Sequence, residues 1–476
     1  GIADRLHYLQ RLGVTVLYLN PIFESASNHR YDTGDYRKVD PILGTNTDFK
    51  KLCTAAADCG IRIVLDGVFA HTGADSRYFN RFRHYPGCGA YNSHSSVYAR
   101  WYSFAHYPDD YKCWWDFKDL PAVNAANPDW RKYMITGERS IVKTWLRDGA
   151  SGWRLDVADE LPDDVLRGMR SAAKETNPDS VLLGEVWEDA VTKVSYGERR
   201  QYALGDALDS VMNYPLRDGL VTFLTGRSTA RALADLLLSQ RLNYPRPLYY
   251  ALMNLTASHD VARTRSALAL DFDPRSRTRA ELAALEITDA MAARGAQLQV
   301  LAAAVQFWLP GIPSIYYGDE TGMQGLCDPF NRAPLQMCDT QMLQWYAQLT
   351  ALRHAHPALT RGEVAVFAPA GDVLCVLRVI ADGRDAFGEE AEDEALLLIV
   401  NRAAHPVRCH VELTCPGAGL CEETRLAFVR SEYDCAADCT DDTHIAIRDG
   451  VGAFDLPPHA AKIYRLENRH GTETGS

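Results

Sequence analysis

Gly149-Ala-Ser-Gly-Trp-Arg-Leu-Asp-Val-Ala-Asp159 is a short apolar run entered between two glycines and closed by charge. It reads as a buried strand with Arg154 and Asp156 at its C-terminal end. Residues two apart on a strand point to the same face, so the guanidinium stands beside the carboxylate. A neighbouring opposite charge favours the ionised carboxylate. Held at a strand end, that carboxylate is a candidate nucleophile. Taken alone, the pair is equally well read as a structural ion pair, and the rest of the chain has to decide.

Working outward, the strand is flanked by helical periodicity over 130–147 and 163–175, and the same alternation runs through most of the chain. A helix over 2–12 stops at Gly13. Strands are predicted over 14–20, 61–68, 152–157, 181–187, 208–214, 249–255 and 314–317. Further helices are predicted over 48–59, 230–240, 296–309 and 341–354. Near-continuous apolar strands between helices predict an α/β fold with a parallel sheet covered by helices, either doubly wound or closed into a barrel. Asn20, Asp66, Asp156, Glu185, Asn213 and Asp260 fall at or just past the ends of different strands. That is the face that carries the site in a (β/α)8 TIM-type barrel, so their placement favours the barrel. The pattern supplies seven strands and opens in a helix; the first barrel strand is expected upstream of Ile2, making this an N-terminally truncated barrel.

Between His71 and Pro128 the chain runs for roughly fifty residues where a βα loop has two to six, and aromatics crowd it. Most of them are expected to form the small core of an inserted subdomain. The others offer flat apolar faces on which a sugar ring stacks. Past Pro357, β-like runs at 364–367, 373–379, 395–400, 407–413, 443–447 and 461–466 follow without helices between them, the pattern of an antiparallel β-sandwich. The expected organisation is a catalytic barrel over 1–71 and 126–356, an insertion over 72–125, a C-terminal sandwich over 357–468 and a disordered polar tail over 469–476. The acidic run at 382–394 reads as a solvated hairpin tip, and the charged stretch 271–294 as an exposed helical excursion.

With 50 basic and 62 acidic residues the net charge is -12, which argues against a nucleic-acid backbone and suits a neutral substrate. No apolar run approaches the roughly 18 residues of a membrane span, so no membrane partner is expected. The 12 cysteines include no Cys-x-x-Cys pair and no cluster at zinc spacing, so no protein-bound metal is predicted from them. Cys53, Cys59 and Cys113 read as reduced thiols, while a disulfide is possible among Cys409, Cys415, Cys421, Cys435 and Cys439. A cytoplasmic location is expected.

Three carboxylates stand out on separate strand ends: Asp156, Glu185 and Asp260. Hydrolysis of a glycosidic bond with retention needs two carboxyl groups about 5–5.5 Å apart, and neighbouring strands lie roughly 4.8 Å apart. His71 and His259 are placed to contact sugar hydroxyls. Trp187 is expected to pack beside the acid and raise its pKa by desolvation.

Taken together, Asp66-Gly-Val-Phe-Ala-His71, Gly152-Trp-Arg-Leu-Asp156, Gly184-Glu-Val-Trp187 and Ser258-His-Asp260 resemble the four ordered signature regions of the α-amylase family of glycoside hydrolases. Each is weak alone; four in order at family-like spacing are specific. The resemblance implies Asp156 as nucleophile, Glu185 as general acid/base and Asp260 as transition-state stabiliser. Asp66, His71, Arg154, Trp187 and His259 are then substrate contacts. Asn28-His-Arg-Tyr-Asp-Thr33, the Val-Ala-Asp-Glu160 continuation and Asp328-Pro-Phe-Asn-Arg332 resemble the neopullulanase, cyclomaltodextrinase and maltogenic amylase subgroup. This adds His29, Tyr31, Asp328 and Arg332 to the expected substrate contacts. Tyr31 is otherwise a packed loop aromatic, and Asp328 with Arg332 a local ion pair.

The chain also departs from the pattern. Ala70 stands where the family commonly has an asparagine tied to calcium, which leaves calcium as the only cofactor in question. Leu120-Pro-Ala-Val-Asn124 matches its subgroup counterpart loosely, and the oligomeric state stays open. The expected activity is retaining hydrolysis of α-1,4 bonds in maltooligosaccharides, cyclodextrins, starch or pullulan. A transglycosylase of the same fold and a non-catalytic glucan-binding relative are the alternatives.

Overall fold

Gly152–Leu155 is the central strand of a five-stranded sheet in the computed structural model of the chain, which describes residues 1–413, 424–428, 445–446 and 451–468. Its strands are β1 (Val16–Leu19), β2 (Arg62–Gly67), β3 (Gly152–Leu155), β4 (Val181–Gly184) and β5 (Ser210–Val211). All pairings are parallel, and spatial order equals chain order. A doubly wound sheet reverses its order at a switch point; this sheet shows no reversal. The strand rows are aliphatic because both faces of a parallel sheet are covered, and Leu65, Trp153 and Leu155 are fully buried. Gly152 is required by close packing: a Cβ there would stand 2.3 Å from the Val181 carbonyl oxygen. Gly149, at φ +117°, turns the chain into β3 through a conformation that favours glycine.

Residues 1–212 form one compact unit and 213–476 a second. In the first, Asn46–Asp58 and Asp163–Thr176 are helices close to expectation, the former started by a Thr45–Asp48 capping box. The helix expected over 130–147 is broken into Pro128–Arg131, a π-helical turn Lys132–Thr136 and Ile141–Arg147. Gly137 leaves the helical region there, and the Ser140 side chain caps the restart through Lys143 N. The predicted strand 208–214 shrinks to β5, because Asn213 caps a helix, Tyr214–Leu224, with proline in its first turn.

Much of the aromatic insertion packs on itself. Phe79 lies 4.9 Å from Tyr102 and 4.7 Å from Tyr111, ring centre to ring centre, and all three are buried. Phe82, Trp115 and Phe117 instead stay exposed. The insertion is stitched back at its end, where Val123 N donates to Ala70 O and Thr72 N to Pro121 O.

In the second unit Met253–Leu255 (β6) and Ile312–Ser314 (β7) pair in parallel. The strand expected from 249 begins at 253, because residues before it form the short helix Arg246–Tyr249. The long helices are Ala230–Asn243, Asp289–Trp308 and Thr340–Ala355. Within the charged stretch 271–294, the helix Arg279–Ala284 is anchored, not free: Leu282 is buried against Leu270 and Leu326. Among the described residues beyond 361 the strands are antiparallel, in one six-stranded sheet and one pair, Val407–Glu412 with Val451–Leu456. Buried side chains of both, including Leu377, Ile399, Val411 and Phe454, form one apolar cluster. Strands Thr424–Phe428 and Val451–Leu456 were not anticipated from the sequence. The acidic 382–394 hairpin tip is not uniformly solvated, since Asp385 is buried and accepts the N–H groups of Phe387 and Glu389.

Cys53, Cys59, Cys113 and Cys409 carry free thiols. Cys415, Cys421, Cys435, Cys439 and the expected tail 469–476 lie outside the described residues. Among the described residues, no helix is long and apolar enough to cross a membrane.

Candidate active site

Adjacent strands β2, β3 and β4 bring their polar ends together, with Asp66 opposite Arg154 and Leu155 opposite Gly184 in register. The resulting contacts centre on one buried guanidinium. Arg154 Nη1 lies 2.9 Å from Asp66 Oδ1 and 2.8 Å from Asp156 Oδ1. Its Nη2 lies 2.8 Å from Glu185 Oε2. The pair read from the sequence is thus a hub of three carboxylates around a single cation.

That stoichiometry changes the electrostatics. Burial pushes the Asp156 carboxyl well above the usual carboxylate range; Arg154 pulls it down, and Glu185 and Asp66 push it up again. The expectation that Arg154 alone holds Asp156 ionised therefore needs correction: desolvation outweighs it. Asp156 and Glu185 share this guanidinium, one on each terminal nitrogen.

Glu185 has two further donors. Val157 N–H reaches Oε2 at 2.8 Å, and Trp187 Nε1–H reaches Oε1 at 2.9 Å. Trp187, expected as a desolvating neighbour, thus donates to the carboxylate, and its ring remains 36% exposed. Val157 delivers its N–H from φ +39°, ψ +60°, a left-handed backbone that a β-branched residue seldom adopts.

Asp66 sits one strand over, accepting from Tyr18 Oη at 2.7 Å and Tyr31 Oη at 3.0 Å. Burial and the Asp66 charge push the Tyr31 phenol up, keeping it a donor. His29 Nδ1 accepts from Tyr31 N at 3.1 Å, and the two rings lie 6.2 Å apart, near parallel. His71 Nε2 is 3.1 Å from the Tyr31 carbonyl, so the ring proton belongs on Nε2. Burial lowers the His71 pKa to about 4, leaving it neutral, and its buried Nδ1 has no hydrogen-bond partner among the described residues. Trp114 stacks on His71 at 5.6 Å, with Trp115 and Phe117 layered beyond.

In the second unit, His259 Nε2 stands 3.2 Å from Asp260 Oδ2, and Tyr214 Oη donates to the same oxygen at 3.3 Å. Arg332 Nε pairs with Asp328 Oδ1 at 2.6 Å, and Arg332 Nη2 reaches the His259 carbonyl at 3.4 Å. Between them, the buried Asn331 amide donates to the carbonyls of Ser258, His259 and Val261 at 3.1, 3.0 and 2.8 Å. Asn331 thus pins the backbone that carries His259 and Asp260.

Tyr18, Val157, Tyr214 and Asn331 were not singled out from the sequence. Tyr18 left a trace, being a polar-tipped ring in an otherwise aliphatic strand. The others act through contacts that no spacing announces. Asn213, read as a strand-end polar residue, is structural: it caps its helix and bonds Asn254 and Gln240.

A calcium ion at the position usual for the family does not fit residue 70. Ala70 presents a methyl group, and its carbonyl already accepts Val123 N–H at 3.0 Å. Among the described residues, no group of three or more His, Cys, Asp or Glu side chains is arranged to hold a metal.

The family model "Alpha amylase, catalytic domain" matches residues 1–332. An amylopullulanase of Thermoanaerobacterium thermosulfurigenes is 36% identical over 446 residues, covering 87% of this chain and 23% of that protein. A cyclomaltodextrinase of Geobacillus thermopakistaniensis is 32% identical over 415 residues, covering 85% of this chain and 62% of the relative. The chain therefore spans about a quarter to under two thirds of the length of these relatives. Among solved structures, a debranching enzyme from Nostoc punctiforme superposes with a TM-score of 0.76 at 27% identity, over 98% of this chain and 88% of that one.

Proposed function

The chain belongs to the alpha-amylase family, and from that premise we propose that it is a retaining α-glucan hydrolase acting on α-1,4-glucosidic bonds. The observation that carries this reading is the Arg154 hub, in which one guanidinium holds Asp156 through Nη1 and Glu185 through Nη2. Two carboxyl groups on neighbouring strands, sharing a cation, suit double displacement. In the productive protonation state Asp156 is ionised and Glu185 carries the proton. Asp156 then attacks the anomeric carbon while Glu185 protonates the departing glycosidic oxygen. Glu185, now a carboxylate, takes a proton from water as that water opens the glycosyl ester. Asp260, on its signature motif, is assigned the transition-state stabilising role.

Asp66, His71, His259 and Arg154 are proposed to hold the attacked glucose, with Tyr31, His29 and Trp187 beside it and Asp328 and Arg332 contributing further sugar contacts. The neutral state of His71 suits it to bonding sugar hydroxyls without adding charge. We read the catalytic portion, 1–71 and 126–356, as part of a (β/α)8 barrel, 72–125 as its inserted domain and 357–468 as a β-sandwich. The unreversed parallel order of β1–β5 and the barrel-forming family support this division. A cytoplasmic location is part of the same reading and is supported by the free thiols, which suit a reducing compartment.

Maltooligosaccharides, cyclodextrins, starch and pullulan are the proposed substrates, drawn from the relatives' names and from the subgroup motifs. Nuclear magnetic resonance of the first sugar released from maltohexaose tests the stereochemistry: α-anomer supports the reading and β-anomer refutes it. Chromatography of pullulan digests then separates panose, isopanose and maltotriose and so fixes which linkage is cut.

A further inference from the structure

Arg37, on strand Thr33–Val39, and the π-helical turn Lys132–Thr136 border a cavity of about 760 Å³ in the first unit, apart from the strand-end carboxylates in the residues that line it. We propose that this cavity is a second ligand site, one that binds a phosphate monoester carried on a sugar. The volume lies within the roughly 300–1,000 Å³ typical of small-molecule sites.

Charge selects the anion. The lining includes four cationic side chains, Arg37, Arg100, Lys132 and Arg139, against two carboxylates, Asp129 and Glu138. Glu138 is already committed to Arg147 at 2.5 Å. Arg37 is held in place, its Nε donating to Tyr133 Oη at 3.0 Å and its Nη2 to the Arg139 carbonyl. The side chains of Arg100, Lys132 and Arg139 make no ion pair among the described residues, and all three are exposed. Asp129 likewise makes no ion pair among the described residues, so three uncommitted cations face one uncommitted carboxylate, a locally positive lining in a chain of net charge -12. Guanidinium forks match the oxygens of a phosphate, and a phosphate monoester is largely dianionic near neutral pH.

Shape and surface select the sugar. Tyr98, Trp101 and Tyr133 line the same cavity, with Tyr98 and Tyr133 rings 5.0 and 5.2 Å from that of Trp101. Trp101 is buried behind them and Arg37 covers one face of Tyr133 at 4.5 Å, so the half-buried Tyr98 and the open side of Tyr133 supply the apolar wall against which the C–H side of a pyranose packs. The π-helical turn is a second sign, since such turns occur frequently at functional sites.

Isothermal titration of the full chain with glucose 6-phosphate, glucose, inorganic phosphate and adenosine monophosphate tests the proposal. Glucose 6-phosphate is expected to bind at least about tenfold more tightly than glucose or phosphate, a difference of about 1.4 kcal/mol. The triple variant Arg100→Gln, Lys132→Gln, Arg139→Gln should weaken that binding by a similar factor. Its melting temperature should match that of the parent, which shows that it is folded. Phosphorylated maltodextrin displacing glucose 6-phosphate identifies a phosphorylated glucan chain as the source; failure to displace it identifies a free sugar phosphate. Equal binding of glucose and its phosphate, tighter binding of adenosine monophosphate, or a triple variant that binds as before overturns the proposal. Direct binding keeps this result separate from the hydrolytic reading, which stands or falls on its own assay.

Discussion

Val157 donates its backbone N–H to Glu185 Oε2 across 2.8 Å, and does so from a left-handed backbone at φ +39°. A strand that simply continued past Asp156 would turn this N–H toward a neighbouring strand. The left-handed step ends β3 and frees the donor for the carboxylate. A β-branched residue held there costs on the order of 1–3 kcal/mol, which persists because the surrounding contacts over-determine it.

Val157→Gly is accordingly expected to keep the hydrogen bond while removing the strain. Glycine costs about 0.5–1 kcal/mol in chain entropy, so the variant should range from equally stable to about 2 kcal/mol more stable than the parent. Urea unfolding checks this. A glycine variant destabilised by 1 kcal/mol or more would show that the strain is not present.

Removing the Arg154 guanidinium leaves three buried carboxylates without their cation. Arg154→Met should lose about 3–5 kcal/mol of stability near pH 7, the usual effect of breaking a buried pair. Arg154→Lys keeps the charge but loses the fork that reaches Asp156 and Glu185 separately, and should lower kcat by about a hundredfold or more. Thermal unfolding and steady-state rates distinguish the two variants.

The raised pKa of Asp156 has a stability consequence of definite sign. A carboxyl whose folded pKa exceeds its unfolded value stabilises fully below the unfolded value, roughly pH 3.9, and that contribution is lost as pH rises through the folded value. Asp156→Asn removes the group, so its stability relative to the parent should improve between pH 4 and pH 8. Paired melting curves at those two pH values check the sign. A parent that gains on the variant as pH rises would mean that Arg154 outweighs burial after all.

His71 behaves oppositely. Its pKa is lowered to about 4, so the folded state binds fewer protons than the unfolded state between pH 4 and 6.5, and stability falls as pH drops through that window. The full effect is about 3 kcal/mol. His71→Asn should lose this acid sensitivity and, if the proposed sugar contact is altered with it, raise KM more than it lowers kcat. Tm as a function of pH, set beside the kinetics, checks both parts.

Asn331 is expected to be as important to the second unit as Arg154 is to the first. Asn331→Leu leaves three carbonyls without their donor and should destabilise by about 2–4 kcal/mol, since each lost buried bond costs about 1 kcal/mol or more. Asn331→Asp lacks the amide donors and should do no better. Denaturant midpoints for both variants test the role.

How much of this was legible before the structure depended on the range of the interaction. Arg154, Asp156 and Glu185 were readable because a short apolar run ending in charge marks a strand end, and period two fixes which side chains share a face. The alternation called for a parallel sheet but left its order open, and the polar residues at successive strand ends favoured the unreversed order seen in β1–β5. The helix Tyr214–Leu224 was legible in principle: Asn213 followed by Pro215 is a start signal, but the apolar residues on either side of Asn213 masked it as a strand. The break at Gly137 was hidden by helical periodicity on both sides. Asn331 reaches carbonyls some 70 residues away, and Tyr18 reaches Asp66 across 48 residues. No local pattern encodes partners at such separations.

The central claim is that Asp156 forms the glycosyl ester and Glu185 supplies the acid and base. Glu185→Gln treated with α-maltosyl fluoride tests it most directly. Fluoride departs without an acid, so the bond from carbon 1 to an Asp156 oxygen should form as the carbon–fluorine bond breaks. Without its base the variant should then retain the ester. Peptide mass spectrometry should find one maltosyl group on Asp156, and none in Asp156→Asn, Glu185→Gln. A label on another residue, or β-configured maltosyl products accumulating from the parent enzyme, would contradict the account.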